Sequence, residues 1–196
     1  LVILFTRGTM GDIYPFLHVG RKLKQMGCNI TLMSNYRYRE QAEQEGFGFS
    51  ALDDEEWFDY LNSMPESKRK LPALLELYKN LTPVTLAKEL SLVESQISSS
   101  KKSIILAHSN DYMVPLMAKE KFGIPLHLCV LAPSFVYSLY FFEGVLKSLS
   151  TEINQVRNTV GMVPVEDWSQ WMRGFTNVFA FWPDDVWANA LGMGVT

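Results

Sequence analysis

A short turn near the start of the chain carries the residues best placed for chemistry. Residues 6–12 read Thr-Arg-Gly-Thr-Met-Gly-Asp and lie between an apolar strand pattern and a helical pattern. Backbone amides at the start of a helix can bind an anion, so this turn is a candidate phosphate site. Its spacing matches neither the G-x-G-x-x-G dinucleotide fingerprint nor a P-loop with its lysine.

Asp12, at the end of this turn, has two interpretations. Aspartate is a preferred N-cap, and here it would cap a helix that begins at Ile13. A carboxylate at the carboxyl edge of a sheet can also act as a general base. The two roles are compatible, so both remain open at this point.

The elements that must position these residues alternate along the chain. Short apolar runs predict strands at 1–5, 29–33, 47–52, 104–107, 126–131 and 178–182. Helical signals cover 13–26, 36–45, 71–81, 82–97, 112–121, 150–160 and 166–173, whereas 57–70 and 132–146 are predicted as loops. This order predicts an α/β fold with a Rossmann-like, doubly wound parallel sheet, in a single domain over residues 1–196.

Composition favours one globular domain. The 196 residues are 47% apolar and 20% charged, enough for one well-buried core. The formal net charge is -3 and no dense basic run is present, so nucleic acid is not expected as a partner. Cys28 and Cys129 lie in apolar stretches and are expected to be buried thiols, which fits a reducing cytoplasm.

One stretch is long enough to cross a membrane. Residues 123–142 contain no Asp, Glu, Lys or Arg over a length that could span a bilayer. They also contain Pro125, Pro133 and His127, which interrupt an apolar helix. We therefore expect a buried strand followed by an apolar binding loop.

Three segments resemble one family of enzymes. Residues 8–49 read GTMGDIYPFLHVGRKLKQMGCNITLMSNYRYREQAEQEGFGF, residues 117–133 read MAKEKFGIPLHLCVLAP, and residues 153–168 read INQVRNTVGMVPVEDW. These resemble, in order, GTRGDVxPxxALGxxLxxxGHxVTLAT with a following EAGxxF, AEKLGIPxxxxxxxP, and NxxRxxxGLPPVxDW. The patterns belong to the N-terminal half of GT-B fold, UDP-glycosyltransferase-like enzymes, in the branch that glycosylates sterols, macrolides and glycopeptides.

The resemblance implies an inverting transfer of a hexose. Asp12 stands where this branch places its catalytic aspartate. It would accept the proton of an acceptor hydroxyl while that oxygen attacks the anomeric carbon of a nucleotide sugar. Asp111 stands where some relatives place an acid that orients the base, and its alternative is an N-cap for the helix from Tyr112.

The resemblance also implies how the donor is held. Gly8, Thr9 and Gly11 would approach the diphosphate of the donor, expected to be a UDP- or dTDP-hexose, while Met10 replaces the arginine usual in the family. The donor is a substrate, so no cofactor is expected. No metal site is expected either, because the histidines lack ligand spacing.

The acceptor pocket of such enzymes is built by aromatic loops after the third and fifth strands. The candidate acceptor residues here are Trp57, Phe58, Phe135, Tyr137, Tyr140 and Phe141. Trp168 and Trp171 follow later, and about half of all these aromatics are expected in the core. The remainder would suit a hydrophobic, ring-containing or lipid acceptor, in the cytoplasm or at the inner face of a membrane with peripheral contact.

The nucleotide-sugar-binding half of such an enzyme has no counterpart in this sequence. The chain is therefore interpreted as an acceptor domain that needs a C-terminal domain of the same protein, and alone it is expected to be inactive. One alternative is a non-enzymatic Rossmann-like module that binds a phosphate-bearing or lipid ligand. Another is the branch that transfers N-acetylglucosamine to a lipid intermediate, which usually carries histidine where Asp12 stands.

Overall fold

The computed structural model describes residues 1–65, 71–98, 100, 102–132 and 143–181, with the backbone alone for residues 58, 61, 62 and 71–81. The strands in this part of the chain are β1 (Val2–Phe5), β2 (Ile30–Ser34), β3 (Gly48–Ala51), β4 (Ile104–His108), β5 (Leu126–Val130) and β6 (Asn177–Ala180). They form one parallel sheet in the order β3-β2-β1-β4-β5-β6. This is the Rossmann strand order, and it confirms the predicted fold class.

Helices connect the strands on both faces of the sheet. They are α1 (Met10–Gln25), α2 (Arg39–Gln44) after a 3-10 turn at Tyr36–Tyr38, α3 (Glu55–Ser63), α4 (Leu71–Ile97), α5 (Met113–Phe122), α6 (Ser150–Thr159) and α7 (Trp168–Met172). Residues 143–148 are also helical. Across the described residues, we find no helix with both the length and the apolar character needed to cross a bilayer.

The central strand β1 is buried along its whole length, because helices cover both faces of the sheet. Leu4 faces the cluster that includes Phe16 of α1, while Phe5 faces the cluster that includes Leu90 of α4. Helix α1 approaches very closely at Gly20, where a Cβ would lie 2.7 Å from Leu4 Cδ1. This close packing fixes the position of α1, and therefore of the turn that precedes it.

The loop predicted at 57–70 is wrong over 57–63, which belong to α3, while 66–70 lie outside the described residues. Asp54 caps this helix, accepting a hydrogen bond from the Trp57 amide at 2.8 Å. Glu55 and Glu56 occupy the first turn, where negative charge favours a helix. These polar start signals outweigh the irregular apolar pattern that suggested a loop.

The predicted helix start at Thr82 and Pro83 is also wrong, because both residues lie inside the continuous helix α4. Thr82 is buried, and Leu86 and Leu90 follow it into the core at helical spacing. Packing of this face outweighs the backbone hydrogen bond that a proline removes. The loop predicted at 132–146 is likewise helical from residue 143, and residues 133–142 lie outside the described part.

The segment over 153–168 that contributed to the family resemblance acts as a scaffold. The Asn154 side chain donates to the Val165 carbonyl and accepts from the Val165 amide, at 3.1 and 2.8 Å. Arg157 is 2% exposed; its Nε donates to the Val163 carbonyl at 2.8 Å, and its two terminal nitrogens donate to Glu120 of α5 at 3.0 and 2.7 Å. These contacts join α6, the following loop and α5.

We expect Arg157→Ala to lower the free energy of unfolding by about 2–3 kcal/mol, because it removes buried hydrogen bonds to a carboxylate and a backbone carbonyl. Arg173→Ala, which changes an exposed arginine nearby, should cost about 0.5 kcal/mol or less. Urea unfolding of both variants gives the comparison. Equal stability of the two variants would contradict the scaffold role.

Candidate functional site

The turn between β1 and α1 is closed by a reciprocal helix cap. Thr9 is the N-cap of α1, and Asp12 is the third residue of the helix, so the predicted start at Ile13 and the N-cap role of Asp12 are wrong. Asp12 Oδ2 accepts hydrogen bonds from the Thr9 amide at 2.7 Å and from Thr9 Oγ1 at 3.0 Å. This capping arrangement fixes one carboxylate oxygen of Asp12 against the turn.

Gly8 is required by this geometry. Its φ is +137°, and a Cβ there would lie 2.3 Å from Asp12 Oδ2. Its amide donates to Asn35 Oδ1 at 3.0 Å, and its carbonyl accepts from the Tyr38 hydroxyl at 2.9 Å. Gly11 differs, because a Cβ there would approach no closer than 3.6 Å, to Thr9 Oγ1.

The Gly8 contacts extend across the carboxyl edge to β3. Asn35, directly after β2, donates through Nδ2 to Asp53 Oδ2 at 2.6 Å, and the Tyr36 amide donates to Asp53 Oδ1 at 2.6 Å. Asp53 follows β3. Sequence reasoning missed Asn35, Tyr38 and Asp53, although the polar residues at strand ends were a usable signal.

The second oxygen of Asp12 faces a buried histidine. His108, the last residue of β4, has its Nε2 3.6 Å from Asp12 Oδ1. Its Nδ1 accepts from the Asn110 amide at 3.0 Å, so in the neutral ring Nε2 carries the proton. Burial lowers the pKa of His108, against the opposing charges of Asp12 and Asp111, so the ring is neutral at pH 7.

On the other side of the turn, Arg7 forms hydrogen bonds to two acidic side chains. Its Nε and Nη2 donate to Asp111 Oδ2 and Oδ1 at 2.7 and 2.5 Å, and its Nη1 donates to Glu89 Oε1 at 2.6 Å. Asp111 does not cap α5, whose N-cap is Tyr112, so that interpretation is wrong. The Arg7–Asp111 pair instead joins the ends of β1 and β4 by a two-pronged, charge-assisted contact.

Glu89 is the least expected member of this cluster. It comes from the middle of α4 and is 2% exposed. Burial raises the pKa of Glu89 to about 7, although Arg7 opposes the shift. Its local sequence is an ordinary helical one, so no motif singled it out.

A cavity of about 940 Å³ opens beside the turn. Its lining combines polar residues from the turn, from the neighbouring strand ends and from α4 with apolar residues that include Leu86 of α4 and Val145, Leu146 and Leu149. Of the candidate site residues, Gly8, Thr9, Gly11, Trp57 and Asp111 line it. Asp12 does not; its side chain is 22% exposed at the edge of the sheet.

The aromatic candidates divide by position. Trp57 lines the cavity and stacks on Tyr60 at 5.3 Å between ring centroids. Trp168 is buried in the core, and the Trp171 indole donates to Glu120, so both belong to the scaffold. The Phe58 side chain and residues 133–142, which include Phe135, Tyr137, Tyr140 and Phe141, lie outside the described part.

Two kinds of relative resemble this chain. O-mycaminosyltylonolide 6-deoxyallosyltransferase of Streptomyces fradiae is 31% identical over 83 residues, which cover 42% of this chain and 20% of that enzyme. The calicheamicin glycosyltransferase CalG4 superposes with a TM-score of 0.66 at 14% identity, over 94% of this chain and 48% of that one. The glycosyltransferase VinC, solved with dTDP, superposes with a TM-score of 0.56 at 12% identity. The superposition covers 91% of this chain and 48% of VinC.

This chain spans less than half the length of both solved structures, and at such low identity they establish the fold alone. The sequence model of the glycosyltransferase family 28 N-terminal domain matches residues 2–141, well over half of the chain. Together with the β3-β2-β1-β4-β5-β6 sheet, this match shows that the chain belongs to the glycosyltransferase family 28 N-terminal domain, the N-terminal half of a GT-B glycosyltransferase.

Proposed function

We propose that this chain is the acceptor-binding half of an inverting glycosyltransferase that moves a hexose from a nucleotide sugar to a hydroxyl of a hydrophobic acceptor. The observation that carries this proposal is the cavity of about 940 Å³ at the carboxyl edge, whose lining includes both the glycine turn and apolar side chains. A ligand there would have its hydrophobic body in the cavity and its reacting group near the turn.

The donor would approach the same turn from a C-terminal domain of the full-length protein. Gly8 and Gly11 carry no side chain and Thr9 a small one, and the backbone there begins a helix, which suits a diphosphate. Structures of two similar glycosyltransferases were solved with thymidine diphosphates. These bound nucleotides support a nucleoside diphosphate sugar as the donor, with dTDP as the nucleotide, and UDP is the alternative that the family resemblance implies.

Asp12 would act as the general base beside the cavity, next to Gly11, which lines it. Its Oδ2 is held by Thr9, and its Oδ1 lies toward the neutral His108 ring, which is a positioning residue in this scheme. The acceptor oxygen forms a bond to the anomeric carbon, the bond to the diphosphate breaks, and the hydroxyl proton passes to Asp12. An aspartate suffices because the hydroxyl becomes strongly acidic as the new bond forms.

The reaction class is tested with the full-length protein that contains this chain. We expect incubation with UDP-glucose or dTDP-glucose and a panel of sterols, macrolides and lipid alcohols to give products heavier by one hexose, measured by mass spectrometry. The 196-residue chain alone should give no product. Ligand binding by the full-length protein without transfer to any acceptor, and without hydrolysis of any donor, would favour the non-enzymatic binding module instead.

We expect Asp12→Asn to lower the kcat of the full-length protein by about 100-fold or more, because it removes the proton acceptor. An amide oxygen can still accept the Thr9 hydrogen bonds, so the melting temperature should change little. Asp167→Asn is the matched control, because Asp167 caps α7 by accepting from the Gln170 amide at 2.9 Å. Turnover of Asp12→Asn close to that of the control would refute the base assignment.

The two turn glycines should respond differently to alanine. Gly8→Ala places a methyl group against the Asp12 carboxylate at a φ that alanine rarely adopts, so we expect a loss of about 2 kcal/mol in stability and a large fall in kcat. Gly11→Ala places its methyl group in ordinary van der Waals contact with Thr9 Oγ1 and should leave stability within about 0.5 kcal/mol. Thermal unfolding and turnover are measured on both variants, and equal effects would contradict the turn geometry.

A further inference from the structure

Glu89 is a buried carboxylate that the proposed transfer step does not use. It lines the cavity from α4, and Arg7 Nη1 donates to its Oε1 at 2.6 Å. Its Oε2 is buried and has no hydrogen-bond partner among the described residues. A buried carboxylate oxygen without a donor is costly, so a ligand in the cavity that supplied a donor would gain that energy on binding.

The charge around Glu89 indicates which kind of donor suits it best. Among the described residues, Arg7 is the cation that contacts both Glu89 and Asp111, so the cluster carries one surplus negative charge when both acids are ionised. Lys88 directly precedes Glu89 on α4 but is exposed, so water screens its charge. Arg37 and Asp53 also line the cavity and carry opposite charges, so together they add no net charge to its lining. The surplus charge favours a cationic ligand group.

Apolar side chains line the cavity together with this buried carboxylate. Leu86, on the same face of α4 three residues away, and Leu146 and Leu149 from the neighbouring helical region line the same cavity. An ion pair in such surroundings is screened less than one in water. A ligand that fits here therefore combines a hydrophobic framework with a positive charge at one point.

We propose that Glu89 Oε2 selects acceptors that carry a protonated amine on a hydrophobic ring framework. The proposal rests on the proposed function only in naming the ligand an acceptor, because binding needs no transfer. Arg7 has a positioning role: it holds Oε1 and so leaves Oε2 for the ligand. The reacting hydroxyl of the same acceptor would lie elsewhere on its framework, toward the turn.

The proposal predicts a pH dependence of binding. Because burial raises the pKa of Glu89 to about 7, this carboxylate becomes more ionised as the pH rises through neutrality. An aliphatic amine stays protonated over that range. Affinity for the amine should therefore rise several-fold between about pH 6 and about pH 8, while affinity for a neutral alcohol of the same shape should stay nearly constant.

Three probes that share one cage separate the charge effect from the hydrophobic one: 1-aminoadamantane, 1-adamantanol and adamantane-1-carboxylate. Binding to the 196-residue chain is measured by NMR titration. We expect the amine to bind about tenfold or more tightly than the carboxylate, with the alcohol between them. Glu89→Gln should lower amine affinity about tenfold while changing alcohol affinity about threefold or less.

Glu94→Gln is the matched control, because it removes the same charge from an exposed position on the same helix. It should leave all three affinities unchanged. An unchanged amine affinity in Glu89→Gln, or a wild-type chain that binds the amine no better than the carboxylate, would overturn the proposal. If Glu89→Gln does not fold, the pH series on the wild-type chain decides alone, and a flat amine profile overturns the proposal. None of these measurements depends on glycosyl transfer, so failure of the proposed function is distinguishable.

Discussion

The parallel pairing of β1 with β2 on one side and β4 on the other is the constraint on which the site depends. Phe5, at the end of β1, pairs with Met33 of β2 and with Ala107 of β4. The segments that follow all three strands must therefore meet at one edge. Gly8 is held from the β2 side by Asn35, and Arg7 is held from the β4 side by Asp111. Hydrogen bonds from the segments after β2 and after β4 therefore fix the turn from both sides.

The same edge separates two electrostatic environments. On one side Asp12 faces His108, a histidine that burial keeps neutral. A protonated ring there would form an ion pair with Asp12 and make it a poorer base. On the other side Arg7 compensates only part of the charge of Asp111 and Glu89. Burial therefore keeps the His108 ring neutral beside Asp12 and raises the pKa of Glu89 within the cavity.

The segments that resemble the family contribute in different ways. Residues 8–49 supply the turn and Asn35, whereas 153–168 supply Asn154 and Arg157, which join α6 to a loop and to α5. Two parts of the chain can thus carry equally recognisable patterns, one for a site and one for packing. Replacing a side chain that bonds a buried backbone group leaves that group unpaired, which is costly, so such contacts also restrict the residue type.

The sequence by itself determined the alternation of strands and helices, the class of sheet and the location of the glycine turn. Each of these features follows from local apolar periodicity and from residues with special backbone preferences. It also placed Asp12 at the correct edge, although as an N-cap rather than the third residue of the helix. Helix α3 and the continuity of α4 were missed, because capping and core packing outweighed weak local patterns.

Only the tertiary structure decided which side chains of the site contact one another. The Arg7 contacts with Glu89 and Asp111 join residues 82 and 104 positions apart, and His108 reaches Asp12 from another strand. Such pairs leave no trace in local spacing, since they follow from strand order and from the angle at which α4 packs. The burial that raises the pKa of Glu89 and lowers that of His108 is likewise a property of the assembled core.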